Sequence, residues 1–488
     1  MTVKSVSPAL SAAEYAALDG VGLAELISRK QISIPEATAS ARAAIDRANA
    51  TVNAIVEIYE DRFAEPEAGL ADGPLKGVPF LIKDVTSHFG GRKLEYASRL
   101  CQGYVVREDD HYATMVKGTG VNLVGRSHTP EFSMALCADT VLYGRTSNPW
   151  KHDYSTSGSS GGAAAAVASG MVPIAHASDL GGSTRGPAAW CGTVGLHPSR
   201  GRVSQGPAFD ERGNGMSQSS VVTRTIRDTA VMLEALSQTQ PGDPFIIRRP
   251  DRSYTSFLSG TDRKLRIGWS VDPLMDAPVD PEIARIVETT ARALDKLGHH
   301  VEPSSPTFDL IAMDRMLTDL WYFQFDQYLD ELGARSGRKV GPDTVERATL
   351  AFYNFAKSRS ADAYFAAVDE LNVFRRQIGR WFAEFDVWLS PTCAQVAQPN
   401  GIYGMNIDVP PPEFLQHEQR PCQFMVWVNV CGVPAISLPL AQHSSGLPIG
   451  VQLAARPGHE EHLIGLGAEL ERAMPWRDRI PPLHVSKL

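Results

Sequence analysis

This sequence predicts an α/β fold, and two observations carry that reading. Short apolar strand candidates alternate with amphipathic helix candidates along most of the chain, the pattern of a sheet packed against helices. A chain of 488 residues has a soft prior of roughly three domains, yet it is also ample for one large core, because the buried fraction rises with size.

The elements follow in order. Residues 21–49 have helical periodicity, with Leu23, Leu26 and Ile27 on one face. Ser33 opens a second helix with Glu36 at capping-box spacing. Asn49 to Asn53 turns the chain into a strand, AIVEIYE. The turn-rich Gly73–Pro79 leads to the short apolar strand Phe80-Leu-Ile, which exits at Lys83. A lysine is ordinarily a solvated surface residue, but one placed directly after such a strand leaves a buried element. A helix and a strand are expected between Asp110 and Val124. Further on, helices are expected at Thr223–Ser237, Pro281–Leu297 and 459–473, and strands at Lys264–Trp269 and from Phe385 to Thr392. Pro241–Pro250 reads as a linker. Residues 308–385 read as mainly helical and aromatic-rich, mostly core with a minority at a substrate mouth. The Pro- and Gln-rich 395–421 reads as a surface loop, and Val428–Pro439 with Leu447–Leu453 as a hairpin-like pair. No repeat or low-complexity tract is present.

Composition excludes several classes. A net charge of −8 with 21% charged residues gives no electrostatic reason to expect nucleic acid or a membrane surface as partner. No run approaches the ~20 apolar residues of a spanning helix, and the N-terminus lacks the apolar core of a signal peptide. Six scattered cysteines without CxxC spacing argue against zinc or a disulfide framework and for reduced, buried thiols in a cytoplasmic protein.

The chemistry concentrates in Ser155–Ser204. A Ser/Gly run opens it, followed by an alanine-rich helix candidate (Gly162–Ser169), an apolar strand (Met171–Ala177) and a second tight turn at Gly181-Gly182-Ser183. Glycine permits close backbone approaches that a Cβ forbids, so such loops can aim N–H groups at a ligand. Three other catalytic patterns compete. Gly158-Ser-Ser160-Gly-Gly162 matches the G-x-S-x-G elbow, but no strand precedes it as that elbow requires. Ser336-Gly-Arg-Lys339 matches S-x-x-K in polar surroundings. His459-Glu-Glu-His462 spaces its histidines by three, not the four of a zincin helix.

The blocks GSSGG, DLGGSTR and PAAWCGTVGLHPSRGRVS, in this order and spacing, closely resemble the amidase signature family. GVPFLIKD around Lys83, GRSHTPEF at 125–132, GRTSNPW, FDVWLSPT, GVPAISLP and PIGVQL extend the likeness over nearly the whole chain. More loosely, long segments are similar to its nylon-oligomer hydrolases and aryl acylamidases. The resemblance implies one domain over 1–488, a mixed central sheet with helices on both faces, a core at about 73–240 and a helical, substrate-side region at about 308–420. It implies a catalytic set of Lys83, Ser159 and Ser183, with a cis bond between Gly158 and Ser159. It also implies an oxyanion hole from the backbone of Leu180, Gly181, Gly182 and Ser183, and structural support from Asp179, Arg185 and Ser160.

These residue types suit amide hydrolysis. An amide carbonyl is a poor electrophile, so the nucleophile needs a base and the oxyanion needs donors. A lysine serves as base only when desolvation keeps it neutral, and a serine hydroxyl can relay the proton. The resemblance therefore implies a hydrolase of amide C–N bonds in a small or medium-sized substrate (anilides, oligoamides, esters and carbamates included, hence urethanase activity). The partners are that substrate and water, with no organic cofactor or metal. A homodimer is a common state for soluble enzymes. The alternative is the glutaminase subunit of a tRNA-dependent amidotransferase; a non-catalytic scaffold and a histidine-dependent esterase are the other readings. Three positions depart from the family pattern: Ser157 where glycine is common, Gly186 where an apolar residue is common, and His197 in place of lysine. Ser157 and Gly186 are expected to reshape the acyl pocket.

Overall fold

The structure, a computed structural model, describes residues 7–207, 213–307 and 309–488. The first six residues of the N-terminal stretch, 208–212 of the expected core and 308 at the start of the helical region lie outside them. Among the described residues, thirteen strands run in chain order: β1 (Ile55–Ile58), β2 (Pro79–Lys83), β3 (Asn122–Ser127), β4 (Asp139–Thr140), β5 (Gly144–Arg145), β6 (Ile174–Asp179), β7 (Val194–His197), β8 (Gln218–Thr223), β9 (Arg266–Trp269), β10 (His300–Pro303), β11 (Val387–Pro391), β12 (Ala435–Gln442) and β13 (Pro448–Ala455). Eleven of them form one mixed sheet in the order β1-β3-β2-β6-β8-β7-β12-β13-β11-β9-β10, and β4 pairs only with β5.

Within that sheet, β2 lies parallel to both β3 and β6, whereas the middle from β6 through β8, β7, β12 and β13 to β11 is antiparallel. Side chains alternate across it with the period of two that a pleat imposes. Trp388 joins an apolar cluster with Phe374 and Ile378 of the helix Ala361–Glu384, while the next residue, Leu389, packs with Leu463 of Glu460–Ala473 and Val287 of Pro281–Lys296. Helices therefore cover both faces.

Local chemistry explains the boundaries. Ser33 and Glu36 complete a capping box on Ile34–Val52, and Asn53 ends that helix in the left-handed region at φ 53°. Several expectations shift. The strand expected at Met171–Ala177 begins only at Ile174, after Pro173, which has no N–H to give a ladder. The helix expected from Thr223 starts at Ile226, capped by Thr225, because Gln218–Thr223 is β8. Half of the loop expected at 395–421 is the helix Pro411–Cys422. Its first two prolines occupy the opening turn, where a missing N–H costs nothing. The upstream arm of the expected hairpin is partly the helix Val426–Cys431, ended by Gly432, and β12 begins at Ala435.

Candidate active site

β2 and β6 are parallel neighbours and end side by side, the edge of an α/β sheet where ligands collect. Lys83 is the last residue of β2 and is only 1% exposed. Its Nζ lies 2.7 Å from Ser159 Oγ and 3.0 Å from Ser178 Oγ, and its backbone N–H donates to His176 Nδ1 at 3.2 Å. Burial pulls the Lys83 pKa down to about 7, and the Asp179 carboxylate only partly opposes this. His176, buried and beside Lys83, is held well below the usual histidine range.

Two loops bring the serines to this lysine. The peptide bond between Gly158 and Ser159 is cis. A Cβ on Gly158 would sit 2.0 Å from the Ala135 carbonyl oxygen, so this position has room only for glycine. Ser160 then joins the loops: its N–H donates to the Ser183 carbonyl at 3.1 Å, and its Oγ bonds the Ser178 N–H and carbonyl at 3.3 Å each. The helix Gly161–Ala168 follows, buried throughout.

Asp179 ends β6 and organises the second loop. It accepts from Gly182 N–H at 2.7 Å and from the N–H groups of Thr184 and Arg185 at 3.2 and 3.3 Å. Arg185 grips both its oxygens at 2.9 Å. Burial raises this carboxyl's pKa, but Arg185, with smaller contributions from His197 and Asn429, more than offsets it and holds the carboxyl well below the usual carboxylate range. Arg185 also reaches Asn429 Oδ1 (2.6 Å) and Gln452 Oε1 (2.8 Å), and Asn429 returns a hydrogen bond to Asp179. His197 stands 3.8 Å from Asp179 and is neutral, burial lowering its pKa to about 3. One expectation needs correcting here. The Gly182 N–H is directed at Asp179 and the residue is buried, whereas Leu180, Gly181 and Ser183 are partly exposed and their N–H groups have no partner among the described residues.

Ser183 faces two cavities. One, of about 440 Å³, is lined by Ser159, Ser178, Ser183 and the aromatics Trp321, Phe323, Phe325, Tyr328 and Tyr364. The other, of about 60 Å³, is lined by Gly181, Ser183, Trp321, Glu418, Gln419 and Cys422 among others. Trp321 lines both, its ring 2.8 Å from where a Cβ on Gly181 would be. The aromatics expected at 308–385 thus divide: Tyr322 and Phe352 are core, whereas Phe365 is exposed. Neither Ser157 nor Gly186 lines either cavity, contrary to expectation. Instead they fit each other, a Cβ on Gly186 falling 3.0 Å from Ser157 Oγ.

The competing motifs lie outside this arrangement. Ser336 Oγ bonds the Leu332 carbonyl within its own helix. His459 pairs with Glu461 at 2.7 Å, and with His462 their ligand atoms come within 4.8 Å of one another. No pattern in the sequence marks Ser178 as a partner of Lys83, or Asn429 and Gln452 as partners of Arg185.

The fold and this arrangement define a hydrolytic enzyme class in which a buried lysine and two serines replace the usual histidine triad. The sequence profile of the Amidase family matches residues 36–464. The chain is 33% identical over 479 residues to the 6-aminohexanoate-cyclic-dimer hydrolase of Paenarthrobacter ureafaciens, covering 95% of this chain and 96% of that protein. It is 32% identical to a glutamyl-tRNA(Gln) amidotransferase subunit of Roseiflexus sp. (strain RS-1), covering 95% and 97%. A solved structure of 6-aminohexanoate cyclic dimer hydrolase complexed with substrate superposes with a TM-score of 0.91 at 32% identity, covering 96% of this chain and 99% of that one. The chain belongs to the amidase family, and it is a hydrolase acting on carbon–nitrogen bonds. No helix among the described residues is long and apolar enough to cross a membrane.

Proposed function

We propose that Ser183 is the nucleophile of an amidase that cleaves a small or medium-sized neutral amide through an acyl-enzyme. The carrying observation is the 2.7 Å contact between Lys83 Nζ and Ser159 Oγ at a cavity that Ser159 shares with Ser183. Ser183 Oγ attacks the carbonyl carbon. Its proton passes to Ser159, and the Ser159 proton passes to neutral Lys83. Collapse of the tetrahedral intermediate sends that proton back through Ser159 to the departing amine, and water then releases the acyl group by the same relay. The free N–H groups of Leu180, Gly181 and Ser183 form the oxyanion hole, and Asp179, Arg185 and Ser160 hold the loops that present them. No cofactor takes part in these steps.

Among the described residues, neither cavity has a lysine or arginine in its lining. This favours a neutral amide, oligoamide, anilide or carbamate over glutamine, whose α-carboxylate calls for a cation, and so favours a stand-alone amidase over an amidotransferase subunit. The six cysteines are unpaired, which supports a reducing, cytoplasmic setting. The test is a panel of short amides, anilides, esters, carbamates and glutamine with the purified protein, alongside labelling by a serine-directed fluorophosphonate. Hydrolysis of the neutral amides with label on Ser183 is expected. Activity confined to glutamine, or label retained in Ser183→Ala, overturns the reading.

A further inference from the structure

The small cavity beside Ser183 is lined by two residues whose side chains carry polar atoms without a hydrogen-bond partner among the described residues. Gln419 is 6% exposed, and neither its Oε1 nor its Nε2 has a hydrogen-bond partner. Glu418 is 7% exposed; its Oε2 accepts the Leu136 N–H, and its Oε1 has no partner. Both residues line the cavity, together with apolar Phe414, Leu415 and Val426. A buried donor or acceptor left unpaired is costly, and such groups in a native fold call for an explanation. Burial pushes the Glu418 carboxyl up to about 8, so at neutral pH it carries a proton and presents an uncharged donor.

The position of this pair is informative. Trp321 and Ser183 line both cavities, whereas Glu418, Gln419 and Gly181 line only the small one. The larger cavity holds Ser159, the group from which the leaving amine would take its proton, so the amine departs on that side. The small cavity then receives the acyl part of the substrate. A single water needs roughly 10–15 Å³ of such a space, so about 60 Å³ has room for on the order of five water-sized groups, a slim acyl chain carrying one polar group.

We propose that Glu418 and Gln419 form an acyl-side specificity subsite for an uncharged group that both donates and accepts hydrogen bonds, such as a second amide a few bonds from the scissile carbonyl. The assignment of sides rests on Ser183 and Ser159 acting as proposed above. The amide side chain of Gln419 offers one donor and one acceptor face, which matches an amide edge to edge. A carboxylate has no cation to meet here, and an alkyl chain would leave three buried polar atoms unserved.

The test compares two ligands with the same number of chain atoms, N-acetyl-β-alanine para-nitroanilide and hexanoic acid para-nitroanilide. Binding is measured by calorimetry on the Ser183→Ala protein, which removes turnover from the comparison. The subsite predicts roughly tenfold tighter binding of the diamide, since each served polar group spares a desolvation cost of that order. Adding Gln419→Leu should bring the two affinities within about twofold, and Glu418→Leu, made separately in case either variant fails to fold, should shrink the preference in the same direction. Equal affinities in the Ser183→Ala protein, meaning that water serves these atoms equally well, overturn the proposal. So does a preference that survives both variants. Turnover of simple anilides by the intact enzyme is scored separately, so failure of the nucleophile assignment appears there and failure of the subsite appears in the affinity ratio.

Discussion

The Gly182 N–H points at Asp179 Oδ1, 2.7 Å away, and not at the space in front of Ser183. Gly182 has φ +125°, open to few residues but glycine, and a Cβ there would come within 2.8–3.1 Å of Met425. The buried carboxylate, held by Arg185, therefore fixes which peptide edges of the loop remain available. Replacing Asp179 by Asn leaves a buried guanidinium without its counter-charge, a loss of about 3–5 kcal/mol. Chemical denaturation should show that loss, and kcat/KM on a short anilide should fall by roughly a hundredfold or more as the loop donors drift. An unchanged midpoint with unchanged kcat/KM would remove Asp179 from this role.

The base must be uncharged to accept a proton, and the pKa of Lys83 is lowered to about 7. Protonation below that value disables it, so kcat/KM should rise with pH and level off above an apparent pKa near 7. A pH–rate profile of the purified enzyme checks this, and an acid limb near 10 would mean that Lys83 remains charged at neutral pH. Lys83→Met should lower kcat by roughly 10²–10⁴-fold.

Ser159 and Ser178 both touch Lys83 Nζ, at 2.7 and 3.0 Å, but the proposed relay passes through Ser159 alone. Ser159→Ala should therefore cost roughly 10²–10⁴-fold in kcat, and Ser178→Ala roughly tenfold or less, consistent with one lost hydrogen bond of about 1 kcal/mol. Single-turnover kinetics on the two variants separates them; equal losses would make Ser178 part of the relay.

Gly181 and Trp321 are also coupled. A methyl at 181 would meet the Trp321 ring at 2.8 Å, so Gly181→Ala should depress kcat/KM sharply, and Gly181→Ala with Trp321→Leu should recover part of the loss. A double-mutant cycle reads the interaction directly, and strict additivity would place the defect in the backbone.

Ser157 and Gly186 make a second such pair, this time in the core. Gly186→Ala should destabilise by about 1–3 kcal/mol through crowding against Ser157 Oγ, and Ser157→Gly in the same chain should relieve most of it. Thermal melts of the parent and the two variants decide the point.

Much of this arrangement could be read from the sequence, for a physical reason. The two Ser/Gly loops flank one helix and one strand within about thirty contiguous residues, which suggests that they meet, and the resemblance to the amidase signature family picks out Ser159, Ser183 and Asp179 within them. The place of Lys83 at the exit of an apolar strand hinted at burial against the ordinary solvated reading of a lysine, and the resemblance supplied its role. Peptide orientation was not legible: nothing in GGS distinguishes the Gly182 N–H from its neighbours. Nor were the cavities, which draw on Phe132, Trp321, Tyr364 and Glu418, residues scattered from position 132 to 418. The helix Pro411–Cys422 was hidden because its prolines signal a loop except in a first turn, and β8 because its polar serines dilute the strand pattern.

One consequence follows from where β2 and β6 lie. They are interior strands, paired on both sides, and the reactive groups stand at their ends. Fraying at an edge or a terminus leaves such strands intact, so subglobal openings would not reach the chemistry. On heating, catalytic competence and the cooperative melting of the whole sheet should disappear together, with no inactive but folded species between them.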